Sequence, residues 1–367
     1  MDLDRLTDEL RGLAGDRLAW PEFVSAADSL LNRFVGFDRS CWHTIDPGTV
    51  LMTGSVNRDV GCSGSWLAEH EYVIEDVNKW SYLAQSGRIA SSTSAATHGD
   101  LMRSARHRSH ESLGIADELR VSVVDGDGYW AAVGLLRDHG RPWYTDQDIA
   151  AMIHLSTVLA RGARSAMISA IPQAMDGPTV GPGVVIFDEA GDVDSMTPAA
   201  ELWISRVLED PPPRAPAESK ALRAVAAKAR AVHGSDPLLA SARSRVRTID
   251  GAWLLMYGSP LSSDGRIAVI IQQATPSEVA PLVALAYGLS QREVAVTRLC
   301  IEGKATKEIA AALHLSAYTV QDHLKAIFEK TGVRSRGELV GQVFLEHYVP
   351  RWEPIDSPPA GWIGYTS

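Results

Sequence analysis

The spacing of apolar and polar positions divides the chain into segments with different periods. Phe23, Ala27, Leu30, Leu31 and Phe34 recur at helical spacing and predict a helix over residues 21–34. Residues 40–45 and 50–56 alternate instead, on either side of Asp46-Pro47-Gly48-Thr49, which reads as a β-hairpin. Residues 119–124 and 129–136 repeat that pattern around Asp125-Gly126-Asp127-Gly128, and a long helical stretch follows over 146–166. A second unit opens with a strand over 184–188 and a turn over 189–192. Helices are expected over 198–208 and 220–233, and two strands, 246–257 and 266–273, close it.

Proline and glycine punctuate these segments. Residues 171–183 read as a linker, and the Pro-rich stretch 209–219 reads as a loop inside the second unit. A further break near Thr275-Pro276 precedes the last apolar-periodic region. The resulting division is 1–170 and 184–275 for two α+β units, 171–183 for the linker, 276–349 for a C-terminal helical unit and 350–367 for a Pro-rich tail.

The helical unit carries the sharpest pattern. Ile309, Ala310 and Leu313 make one apolar stripe, and Ser316 is a good N-cap for the next helix. There Val320, Leu324, Ile327 and Phe328 recur at i, i+4, i+7, i+8, while Tyr318, Gln321, Asp322, Lys325 and Glu329 occupy the opposite face. Gly332 suits the left-handed end of that helix. Two short helices, the second polar outside, describe a helix-turn-helix whose second helix enters the major groove. Gln321 and Lys325 are the candidates for base edges, Gln suiting adenine and Lys guanine; Asp322 can accept from a cytosine amino group, and Tyr318 shares their face. Lys304, Thr306, Lys307, Thr319, His323, Lys330, Arg334 and Arg336 are the candidate phosphate contacts.

Residues 289–348 resemble the C-terminal DNA-binding domain of LuxR-type transcriptional regulators. The resemblance rests on Leu289-Ser290-x-Arg292-Glu293, Gly303, Glu308-Ile309-Ala310, Leu313, Leu315-Ser316, Thr319-Val320, His323-Leu324, Ile327, Lys330, Gly332-Val333 and Ser335-Arg336. It implies an all-α four-helix domain whose fourth helix dimerises, here through Leu339, Val340, Val343 and Phe344, so that two copies read two half-sites. It also implies RNA polymerase as a partner. The chain departs from the family pattern in three places: Ala305 stands where Ser or Thr usually caps the first helix, Ala295 replaces a second acid, and Asp322 lies on the reading face. The order helix, hairpin, irregular middle, hairpin, helix in the first unit resembles a GAF-like sensory domain, and the second unit resembles a PAS-like fold.

Charge changes the picture in one respect. The formal net charge is -10, and the acidity lies mostly outside the helical unit, so tight DNA binding is expected to depend on dimerisation rather than on non-specific attraction. Three scattered cysteines, Cys41, Cys62 and Cys300, give neither a disulfide framework nor a metal site. No long apolar run or leader is seen, and a cytoplasmic protein without membrane contact is expected. There is no phosphate-cradling loop, His-Glu-x-x-His or Gly-x-Ser-x-Gly, so no catalytic residue, cofactor or metal is assigned and no enzymatic role is expected.

For control, Trp42, Trp66, Tyr72, Trp80 and Tyr82 either line a pocket for an apolar or aromatic effector or form ordinary core. The basic run His98, Arg103, Arg106, His107, Arg108 and His110 reads as a solvated helix face, with an anion site or a haem-ligating His as alternatives. Asp125-Gly-Asp127-Gly reads as a tight turn rather than a calcium loop. Two functions of different class follow: a DNA-binding regulator responding to a small molecule, or one whose sensory units dock partner proteins and bind no ligand.

Overall fold

The computed structural model describes residues 2–126, 128–169, 180–231, 242–261 and 265–341. The first unit runs α1 (Leu3–Gly15), α2 (Trp20–Phe34), β1 (Arg39–Asp46), β2 (Leu51–Arg58), α3 (Gly64–Ala68), a π turn (Glu69–Val73), α4 (Trp80–Ser86), β3 (Ala90–Ser92), α5 (Thr93–Ala96), α6 (Ala105–His110), β4 (Ile115–Asp125), β5 (Gly128–Asp138) and α7 (Asp146–Ser169). The second comprises β6 (Gly183–Phe187), β7 (Val193–Met196), α8 (Pro198–Ser205), β8 (Glu209–Asp210), α9 (Lys220–Ala231), β9 (Ala242–Arg247), β10 (Trp253–Pro260) and β11 (Ile267–Gln273). The rest is helical: α10 (Pro276–Ala286), α11 (Gln291–Ile301), α12 (Thr306–Leu313), α13 (Ala317–Thr331) and α14 (Arg336–Val340). The fold is therefore two α+β units followed by an all-α region.

Helix α2 buries Trp20, Phe23, Val24, Ala27, Leu30 and Leu31, the stripe its spacing predicts. Together with α1 and α7 it covers one face of the first sheet, where Trp42 donates its indole N–H to Asp28 at 2.9 Å. The two expected hairpins, β1–β2 and β4–β5, are antiparallel and lie side by side through β1 and β5. Strand order is β3-β4-β5-β1-β2-β8 in this sheet and β7-β6-β11-β10-β9 in the second.

Three sequence expectations are corrected. The stretch 209–219 is not a loop confined to the second unit. Its first residues are β8, which pairs in parallel with β2 through Ser55–Glu209 and Val56–Asp210 and so extends the first sheet. Buried Glu209 accepts from Ser219 Oγ at 2.9 Å and Ala221 N–H at 3.3 Å, which turns the chain into α9. Gly54 permits this approach: a Cβ there would lie 2.6 Å from the Leu208 carbonyl oxygen. Second, residues 246–257 are not one strand but parts of β9 and β10. They fold back at Gly251 (φ +83°), whose N–H donates to Thr248 O at 3.0 Å. Third, the basic run is not all solvated, because Arg106 is 1 % exposed.

Helix α9 lies between the sheets. Lys220, Leu222, Arg223, Val225 and Ala229 are all buried, and one apolar cluster joins its residues to Cys41, Ile45, Leu51 and Trp80 of the first unit and to Val185, Phe187 and Met256 of the second. A second joint is polar. Asp46, 1 % exposed at the tip of the first hairpin, accepts from Arg245 N–H and Nε at 2.9 Å each and from Nη2 at 2.6 Å. Arg245 Nη1 also donates to Glu278 O of α10 at 3.3 Å, so a single guanidinium ties both units to the helix that leads into the C-terminal region. Helix α10 packs on α7, and Val279, Leu282 and Val283 belong to the same apolar cluster as Leu159 and Ala163. Among the described residues no helix is long and apolar enough to cross a membrane.

Candidate nucleic-acid interface

Local capping sets the geometry of α11–α14. Ser290 and Glu293 cap α11 reciprocally: Ser290 N–H donates to Glu293 Oε2 at 2.6 Å and Glu293 N–H donates to Ser290 Oγ at 3.3 Å. Lys330 Nζ, near the end of α13, reaches the same carboxylate at 2.7 Å. Burial opposes ionisation of Glu293, but the bonds from Lys330 and Ser290 outweigh it and hold its carboxyl below the usual carboxylate range. Ala305 occupies the N-cap of α12 without a side-chain acceptor, and only Glu308 contributes, taking the Ala305 N–H at 2.7 Å. The cap is thus half of the usual pair.

Residues 314–316 form the turn, with His314 in the left-handed region at φ 54°. Ser316 Oγ then accepts from Thr319 N–H at 3.0 Å and starts α13. Val320, Leu324 and Ile327 are buried, and Gly332 ends the helix at φ 74°. The opposite face is open: Tyr318 is 75 % exposed, and Gln321, Asp322 and Lys325 are exposed beside it. The four expected base-reading side chains therefore share one solvent-facing surface.

The expected phosphate set divides. Lys304, Lys307 and Arg334 are exposed, and Thr306, Thr319 and His323 are half-buried along the same two helices. Lys330 instead holds Glu293, and Arg336 donates from Nη1 to Lys304 O at 3.1 Å. Both clamp the module internally. The dimerisation set divides too. Leu339 is 0 % exposed and belongs to the core, Val340 is half-buried, and Val343 and Phe344 lie outside the described residues.

The five aromatics singled out for a pocket are not brought together. Trp42 packs edge-on to Trp20 at 6.3 Å on the α2 side of the first sheet, whereas Trp80 lies on the α9 side and donates to Val133 O at 3.0 Å. Tyr72, half-buried, accepts from Met52 N–H at 2.9 Å, and Tyr82 is 56 % exposed. Trp66 alone of the five lines the cleft between the two units, stacked on His70 with ring centroids 4.3 Å apart.

Sequence reasoning missed the polar interior of that α9-side face. Arg106 lies 2.8 Å from Glu118 and 3.3 Å from Asp76, and Arg120 lies 3.1 Å from Glu71 and 3.3 Å from Glu118. The Arg120 guanidinium also sits 3.3 Å from the centroid of the Trp80 ring. Burial pushes the Glu71 carboxyl up, with Arg120 and Arg106 pulling it back. Beside them His43, 0 % exposed, finds no hydrogen-bond partner for either ring nitrogen among the described residues. Burial first, then the charges of Lys220 and Arg120, depresses its pKa well below 6.5 and keeps the ring neutral. A signal did exist in the sequence: Asp117, Glu118 and Arg120 interrupt a strand whose other positions read as core.

A short helix, a tight turn and a longer helix with one buried and one polar exposed face define a DNA-binding helix-turn-helix protein. Residues 288–342 match the family model described as bacterial regulatory proteins, luxR family. The spore germination protein GerE of Bacillus subtilis (strain 168) is 40% identical over 52 residues, which are 14% of this chain and 70% of that protein. The chain belongs to the luxR family and is a DNA-binding regulator of the LuxR type. Two solved structures are also similar to it. One is a complex of Vibrio cholerae VqmA with ligand and DNA (22% identity, TM-score 0.23, covering 47% of this chain and 86% of that one). The other is the bacteriophytochrome RpBphP3 of R. palustris (11% identity, TM-score 0.31, covering 74% and 61%). Both superpositions are loose.

Proposed function

We propose that the protein is a one-component transcription regulator that binds a pseudo-palindromic DNA site as a homodimer and is controlled by a small molecule held in its sheet-bearing units. The observation that carries the DNA reading is the polar face of α13, with Tyr318, Gln321, Asp322 and Lys325 open to solvent over a buried Val320–Leu324–Ile327 stripe. Lys304, Lys307 and Arg334 border it and supply the phosphate contacts in this reading; Thr306, Thr319 and His323 complete them. Dimerisation is assigned to the end of the module, through Val340, Val343 and Phe344, with buried Leu339 supporting that surface from within. The division into sensory units 1–170 and 184–275 and a DNA-binding unit 276–349 belongs to this reading. So do a cytoplasmic location, contact with RNA polymerase and the absence of catalysis.

The test is fluorescence anisotropy on palindromic DNA from the protein's own promoter region. Gln321→Ala and Lys325→Ala are each expected to cost about 1–3 kcal/mol of affinity for the specific site. If both variants bind as wild type does, α13 does not read bases.

A second reading, control by a protein partner, is favoured by the open outer face of the second sheet, where Tyr257 and Ile270 are 37% and 40% exposed. Native mass spectrometry separates the two: a retained small molecule favours ligand control, and empty sensory units favour the partner.

A further inference from the structure

We propose that the cleft between the π turn of the first unit and helix α9 binds a planar aromatic carboxylate, a proposal that rests on the ligand-controlled reading above and gives it a place. The cleft has a volume of about 300 Å³ and takes its walls from both sheet-bearing units. That volume is at the small end of ligand sites and suits one or two fused rings.

One wall is aromatic and already in position. Trp66 and His70, one turn apart, stack at 4.3 Å with 29° between their planes. Trp66 Nε1 donates to Ser109 Oγ at 3.1 Å, and His70 Nδ1 lies 2.9 Å from the Trp66 carbonyl, so both rings are held. The helix changes from α to π at Glu69, immediately beside this pair, and π turns of this kind recur at functional sites. The floor is apolar, with Phe187, Ala226 and Ala227.

The far end holds two guanidinium groups, each with a carboxylate neighbour. Arg223 Nη1 donates to Gly191 O at 2.5 Å and its Nε to Ala217 O at 2.6 Å, while Arg230 Nη1 donates to Ala190 O at 3.1 Å. Backbone carbonyls orient these two guanidinium groups without neutralising them. Gly191, at φ +86°, is what lets Arg230 lie over the β6–β7 turn: a Cβ there would meet Arg230 Nη1 at 1.9 Å. The carboxylates near these cations are Glu69, paired with Arg230 across the cleft, Glu218, 3.6 Å from Arg223, and Asp192, exposed at the rim.

Glu69 shows which group Arg230 accepts at this spot. Its side chain is 37% exposed, and a pair in that setting contributes little to stability. An incoming carboxylate can therefore take its place, and the attached ring gains the Trp66–His70 face that Glu69 does not use. The occupant then bridges the π turn, the β6–β7 turn and α9, the helix on which both sheets pack.

The test uses the full-length protein with 2-naphthoate as probe and 2-naphthalenemethanol as its neutral match, read by calorimetry and tryptophan fluorescence. The expected result is saturable binding of one 2-naphthoate per chain, at least tenfold tighter than the alcohol. Arg230→Gln and Trp66→Ala are expected to weaken it tenfold or more. Glu69→Gln, which removes the competing carboxylate at a partly exposed position, is expected to tighten it severalfold; that outcome stays readable if Trp66→Ala fails to fold. No saturable binding, equal affinity for the alcohol, or unchanged or weaker binding by Glu69→Gln overturns the proposal. DNA anisotropy with and without saturating probe keeps the two readings apart. Probe binding of the expected kind with unchanged DNA affinity supports the site and sinks ligand control. Absent probe binding with intact DNA affinity sinks the site and leaves the DNA-binding reading standing.

Discussion

The two sheets share a strand order and differ in what covers them. Read from the second strand of each opening hairpin, the first runs β2-β1-β5-β4-β3 and the second β7-β6-β11-β10-β9, so in both the first and last strands of the unit lie side by side at the centre. The first sheet is buried on both faces, and nearly every residue of β1, β2, β4 and β5 is inaccessible. The second is more open: β6 and β11 alternate between buried and open positions, while β10 buries Trp253 to Met256 in succession. A sheet enclosed on both sides has to satisfy any polar group it carries from within. The first does so for Arg106, Arg120, Glu71, Glu118 and Asp76, with His43 left out, whereas the second leaves Arg243 and Gln273 open to water and buries Arg247 against Trp253. One strand order thus supports a closed, charge-stitched interior in one unit and a half-open surface in the other.

The largest effect that can break this comparison is at Arg120. Arg120→Ala leaves Glu71 and Glu118 facing each other in the interior and is expected to cost about 3–5 kcal/mol in urea unfolding. A loss below about 1 kcal/mol would show that the ion pairs do not hold that face.

A middle-sized effect concerns His43. Its pKa is depressed in the folded chain, so the unfolded chain binds a proton that the folded one refuses. The stability is fully present above the unfolded value near 6.5 and falls by up to about 1.4 kcal/mol per pH unit below it, until the folded ring itself protonates. Urea midpoints measured from pH 7.5 down to 5 check this. His43→Gln is expected to flatten the slope relative to wild type, and an identical slope would mean that the ring titrates freely. The smallest effect belongs to the second sheet: Ile270→Thr, on its open face, is expected to shift stability by no more than about 0.5 kcal/mol. A cost of several kcal/mol would mean that this face is covered in solution.

What was legible in the sequence follows the same division. The alternation in β11 and the 3.6-residue stripe of α13 are one-sided patterns, and one-sided burial is what periodicity reports. The exposed polar face of α13 was therefore visible in full. The β4 segment was legible as a strand, but its charged residues did not announce partners, because those partners sit in the π turn and α6, far away in sequence. Lys330 and Arg336 were legible as cations, but their bonds to Glu293 and to the Lys304 carbonyl were not, since composition shows a charge and not its nearest carboxylate or carbonyl. Trp42 and Trp80 looked like one cluster by nearness in sequence, yet they lie on opposite faces of the sheet. Helix α9 was legible as a helix; that it packs on two sheets at once is a tertiary fact with no local signature.

Helix α9 and strand β8 also set an order of events during synthesis. The first sheet's outer strand and much of the cover over its His43 face come from Glu209–Asp210 and Lys220–Ala231, long after β2 has been made. At about 5–20 residues per second, the β2 edge and that polar face stay bare for on the order of ten seconds while the intervening chain is translated. An N-terminal unit that would otherwise close as it emerges must wait for a segment of its neighbour. The nascent chain therefore carries an unpaired strand edge, and a need for protection from aggregation, that the finished protein no longer shows.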